Sequence, residues 1–142
     1  MLFRSETLHM SPYWMAVLAY LIPTFPLGYV WHLKTFKKVY DDLAMYRDDV
    51  IIPLGLASML LQALLFAHVY PRLFNTAPEE WKASAMQFGA IFGALAWSFA
   101  VLPVAAKYRM TAVRRFLALE TAFTGLQFLI VSPLIALAWR TR

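Results

Sequence analysis

Cysteine is absent from the chain. That excludes a structural disulfide, a thiol nucleophile and a thiolate metal site, and it leaves the redox compartment open. Charge is scarce as well: Asp, Glu, Lys and Arg make up 15% of the 142 residues, against about 25% in a soluble domain. Glycine occupies only 5 positions, and no P-loop, GxGxxG, GxSxG or HExxH pattern occurs. The length leaves room for one compact unit, residues 1–142, and none for a further soluble domain.

Apolar side chains fill the space that charge leaves. Hydrophobic residues make up 61% of the chain and aromatic residues 16%, with a mean hydropathy of +0.58. The longest organising stretch, 116–139, would rise roughly 36 Å as a helix, more than the roughly 30 Å hydrocarbon core of a bilayer. Three further apolar runs, at about 13–33, 50–69 and 86–106, have comparable length. The expected fold is therefore all-α: a four-helix transmembrane bundle in a single integral-membrane domain. The first run lacks a small-x-small cleavage site and is expected to remain as the first span.

Local signals refine this picture. Pro23 and Pro26 predict a kink or local unwinding near the middle of the first span. After it, Phe36, Val39, Tyr40, Leu43 and Tyr46 recur at helical spacing, so 34–49 reads as a short amphipathic interfacial helix. Lys37 with Asp41 and Lys38 with Asp42 are i, i+4 pairs on it. Residues 70–77 read as a turn broken by Pro71 and Asn75, and Thr76 to Glu79 matches a capping box that would start the third helix. That helix carries Gly89 and Gly93 in a GxxxG. Ala96 and Ala100 extend the same flat face, expected to pack closely on another helix.

Basic residues set the orientation. The formal net charge is +5 and the pI about 9.7, but the basic side chains flank apolar spans, which points to lipid headgroups and not to nucleic acid. Lys34, Lys37, Lys38 and Arg47 follow the first span, and Lys107, Arg109, Arg114 and Arg115 precede the last. Fewer lie on the other side: Arg4, Arg72, Lys82, Arg140 and Arg142. Both termini are accordingly expected outside, with the two basic loops in the cytoplasm.

Polar groups within the spans are the candidate functional residues. Glu120, Thr124 and Gln127 fall on one stripe of the last span; Gly55, Ser58 and Gln62 form a fainter one in the second. Leu61-Gln62 and Leu126-Gln127 hint at a duplicated hairpin, and equal depth predicts that the two glutamines bond directly or through one water on neighbouring helices. Glu120 either pairs with Lys34 or His32 as a structural contact, or carries a proton or cation along the polar stripes. His9, His32 and His68 lie on three segments without ligand spacing, so no metal site, catalytic residue or cofactor is assigned. The basic, polar second helix of the small four-helix glutathione-transferring membrane enzymes is also missing.

One resemblance follows from these motifs. Leu27-Gly28-Tyr29-Val30-Trp31 with Lys34-Thr35-Phe36-Lys37, then Gly89 to Ala94, then a basic turn before a last span carrying Gln127, resemble a family of small bacterial four-helix inner-membrane proteins of unknown function. Pro23 and Pro26 within the first span depart from that pattern. The resemblance implies four membrane helices and a bacterial inner membrane, and it brings no catalytic residues. The expected function is that of a non-enzymatic accessory or structural subunit acting by helix packing. Its partners are then the bilayer and either further copies of itself or another membrane protein. The alternative is a small transporter or channel using Glu120 and the polar stripes. A membrane enzyme acting on a lipid or quinone-like substrate comes third.

Overall fold

The computed structural model describes residues 9–140, so Arg4, Glu6 and Arg142 lie outside the described residues. Among those residues every regular element is helical. The elements are α1 (Pro12–Val30), a π-helical turn (Trp31–Thr35), α2 (Lys37–Asp42), α3 (Ile52–Leu73), α4 (Trp81–Ala100), α5 (Leu102–Lys107) and α6 (Val113–Trp139). Among the described residues four helices are long and apolar enough to cross a membrane: Pro12–Thr35, Ile52–Leu73, Trp81–Lys107 and Val113–Trp139.

Ser11 caps α1 by accepting from the Trp14 N–H, and Pro12 sits in the first turn, where its missing donor costs nothing. The unwinding expected at Pro23 and Pro26 does not occur; the chain stays α-helical through both rings to Val30. Each proline deletes one backbone bond and leaves the turns around it intact. The irregular turn comes later, at Trp31–Thr35, where the Phe36 N–H reaches back five residues to the Trp31 carbonyl at 3.0 Å. Such a widened turn changes which faces His32 and Trp31 present to their neighbours.

The expected 34–49 helix is much shorter, only Lys37–Asp42. Tyr40 and Leu43 are drawn fully inward, 0% and 1% exposed, and the chain then reverses through Ala44, whose φ of 56° lies in the left-handed region. The reversal brings Tyr46 back to stack on Tyr40, with centroids 5.0 Å apart and planes 7° from parallel. Lys37 pairs with Asp41 at 2.5 Å, and Arg47 grips Asp49 through two hydrogen bonds.

Two further boundaries differ from expectation. Pro71 does not end α3, which continues to Leu73, because a proline removes its own donor while the following residues close the last turn. Thr76 is not an N-cap either. Asn75 Oδ1 instead accepts from the Ala77 N–H at 2.9 Å, Pro78 to Glu80 form a tight turn, and α4 begins at Trp81 without a side-chain cap. The far end of that span breaks at Val101, between α4 and α5, where Pro103 lacks an N–H.

α1 lies between α3 and α6, and α6 packs on α1 on one side and α4 on the other. α3 and α4 meet through rings, Phe66 on Phe88 at 5.3 Å and Tyr70 on Phe88 at 5.5 Å. This aromatic cluster extends to Tyr20, Phe128 and Ile135. A second, smaller cluster of Tyr40, Leu43, Val101 and Phe116 closes the opposite end. There Thr111 ties two connectors together, donating from its hydroxyl to the Asp42 carbonyl at 2.7 Å and from its backbone to Leu43. Long apolar side chains such as Leu54, Met86, Phe99 and Leu129 point outward, the distribution expected where the solvent is lipid.

Candidate functional site

Polar side chains gather at two levels along α1. The first level is built on Glu120 of α6. Its Oε1 accepts from the Tyr40 hydroxyl at 2.5 Å and lies 3.0 Å from His32 Nε2. His32 Nδ1 lies 2.9 Å from the Gly28 carbonyl, an acceptor only, so that nitrogen carries a hydrogen. The 3.0 Å between Nε2 and Oε1 is hydrogen-bond distance. Trp31 Nε1 donates to the Tyr40 oxygen at 3.1 Å, completing the arrangement.

Aromatic rings wall this cluster. Phe123 meets the His32 ring edge-on at 4.5 Å, and Tyr40 lies 4.9 Å from it. The His32 and Glu120 side chains are 18% and 14% exposed, so the contact is largely withdrawn from solvent. Tyr40, outside the spans, has its hydroxyl pKa pushed far above the ordinary range by burial, then by its hydrogen bond to Glu120 and that group's charge. Tyr46 is pushed the same way, again mainly by burial. Both phenols therefore stay protonated. Lys34, the other partner considered for Glu120, lies instead over the Tyr29 ring at 5.6 Å.

The second level joins three helices through Tyr20. Its hydroxyl donates to Gln62 Oε1 of α3 at 2.5 Å and accepts from Gln127 Nε2 of α6 at 2.9 Å. Gln62 in turn donates to Ser58 Oγ at 3.1 Å. The two glutamines share a depth, but they do not bond each other directly; each bonds the Tyr20 hydroxyl. α1 passes between their helices and inserts a phenol. Ser58 and Thr124 accordingly do not face each other: Ser58 bonds within α3, while Thr124 lines a groove between α4 and α6 with Thr121 and Ser132. Between the levels Thr24 is buried, and its hydroxyl finds no partner among the described residues.

The GxxxG face lies against α6. A Cβ placed on Gly89 would stand 2.7 Å from Ser132 Oγ, and one on Gly93 would stand 3.3 Å from the Phe128 ring. Ala96 packs at the edge of the same core, whereas Ala100 is exposed and does not extend the contact. His68 is exposed, and no group of three metal-binding side chains occurs among the described residues.

Tyr20 and Tyr40 are the residues that sequence reasoning missed. Tyr20, Thr24, Gly28 and His32 repeat every four residues, a stripe that would have marked the inward face of α1. Tyr40 was visible only as one apolar position of an amphipathic pattern. No family model, curated protein or solved structure matches the chain.

Proposed function

We propose that the chain is a small integral membrane protein acting without catalysis, as an accessory or structural subunit. In this reading the four long helices form a transmembrane bundle, and α2 with its connector lies at the cytoplasmic interface. The resemblance in the loop after the first span and in the GxxxG span supports a bacterial inner membrane, with further copies or another membrane protein as partner. One observation carries the reading. Glu120, the only acidic residue inside an apolar span, is tied through Oε1 to His32 and Tyr40 of its own chain, and its side chain is only 14% exposed. A coupling carboxylate would need a free face toward water.

The transporter reading keeps one specific support, the hydrogen-bonded chain from Ser58 through Gln62 and Tyr20 to Gln127. Proteoliposomes with an internal pH-sensitive dye and an imposed potential separate the two. The packing reading expects no proton flux above empty liposomes. It also expects Glu120→Gln to retain most thermal stability in detergent, while Glu120→Leu loses on the order of 3 kcal/mol by stranding its partners. A flux that Glu120→Gln abolishes in a folded protein would overturn the proposal.

A further inference from the structure

A cavity between α1, α3 and the connector that precedes α3 adjoins the Glu120 cluster and shares His32, Tyr46 and Phe123 with it. Its volume is about 600 Å³, within the roughly 300–1,000 Å³ typical of small-molecule sites. Phe25, Tyr29, His32, Tyr46 and Phe123 supply rings to its wall, and Ser58 with Met59 lies farthest along α3.

Three features select an occupant. The rings favour a planar ring compound, which gains offset or edge-to-face contacts that a saturated acyl chain cannot make. Charge is already satisfied: Arg47 on the wall is held at 3.1 and 3.0 Å by Asp49, and both His32 ring nitrogens are engaged. Ser58 Oγ accepts from Gln62, which leaves its hydroxyl proton for an acceptor on the ligand. We propose that this cavity binds an uncharged, membrane-soluble ring compound of the quinone class, its carbonyl oxygen accepting from Ser58 and its alkyl tail leaving toward lipid. The site does not depend on whether Glu120 is structural or carries protons.

Two glycines give a matched test. Gly55 lines the cavity, and a Cβ there meets nothing within 4 Å, so Gly55→Phe adds a ring at the wall with no clash at its Cβ. Gly125 is equally open but lines the groove between α4 and α6, so Gly125→Phe is the control. The full-length protein in nanodiscs with a tryptophan-free scaffold is titrated with decylbenzoquinone, following tryptophan quenching; Trp31 lies 5.7 Å from Phe123. Saturable quenching is expected in the wild type and in Gly125→Phe, weakened about tenfold or more in Gly55→Phe and several-fold in Ser58→Ala. Should Gly55→Phe fail to fold by circular dichroism, Ser58→Ala decides. Unsaturable quenching, or equal affinity in all four proteins, would mean simple partitioning into the bilayer and overturn the site. A spin-labelled fatty acid that binds in the cavity and resists displacement by the quinone would assign the cavity to lipid, with the same consequence.

Discussion

Tyr40 decides more at the residue scale than its place in a short connector suggests. Fully buried, it is the hydroxyl donor to Glu120 and the acceptor for Trp31, and it forms the surface on which Tyr46 stacks. Its proton is held more tightly in the folded state than in the unfolded chain, where a phenol titrates near about 10. Below that pH both states keep the proton and the contribution is whole. Above it only the unfolded chain releases the proton, so stability falls as pH rises, by at most about 1.4 kcal/mol per pH unit for each such tyrosine. Unfolding in detergent between pH 8 and 11 should therefore steepen above about 10. Tyr40→Phe should lose about 2 kcal/mol at pH 8 and show a flatter alkaline limb. Equal alkaline slopes for the two proteins would remove Tyr40 from this role. Glu120, Gln62 and Gln127 were legible in the sequence because a polar group in an apolar run is conspicuous. Their partners were not, since a tyrosine in such a run is compatible with core, interface or hydrogen bond alike.

Whole helices were easier to read than their ends. Apolar runs of membrane-crossing length identify all four long helices among the described residues, because hydrophobicity summed over some twenty residues outweighs any single exception. The boundaries were set by single hydrogen bonds that composition does not reveal. Thr76 and Glu79 had the residue types of a capping box, yet α4 begins only at Trp81, with Glu80 at its N-cap position. Pro71 had the type of a helix breaker and stands inside the last turn of α3. The GxxxG was legible as a close-packing face, though not which helix it would meet. With α6 now known to lie there, Gly93→Leu must displace Phe128, whose ring already stands 3.3 Å from the missing Cβ. Overpacking of this kind costs about 1–3 kcal/mol, so a lower melting temperature in detergent is expected. Gly125→Leu, in open space, should melt near the wild type. Equal melting of both variants would mean that α4 and α6 separate freely.

At the scale of the molecule, the order of the helices was beyond the reach of the sequence. Depth follows from counting residues along each span, and it placed Gln62 and Gln127 at the same level. Neighbourhood depends on how complete faces fit, and α1 with its stripe of Tyr20, Thr24 and Gly28 occupies the middle. The arrangement does bring the two basic connectors together at one end, whichever side of a membrane that end faces. Thr111 hydrogen-bonds the carbonyls of Asp42 and Leu43, so the connectors rich in Lys and Arg sit at one end of the molecule, and the turn from Asn75 to Glu80 joins α3 to α4 at the other. A membrane between those ends must separate Lys38 from Glu79, both exposed. The absence of native cysteine makes the test clean, because a single introduced thiol is the only target. A membrane-impermeant maleimide added to intact cells should modify Glu79→Cys and leave Lys38→Cys untouched until the membrane is permeabilised. Neither change removes a partner of the Lys37–Asp41 pair or of Glu120. The reverse labelling pattern would keep the packing and invert the orientation. Labelling of both sites in intact cells would mean that these helices do not span the bilayer as one unit.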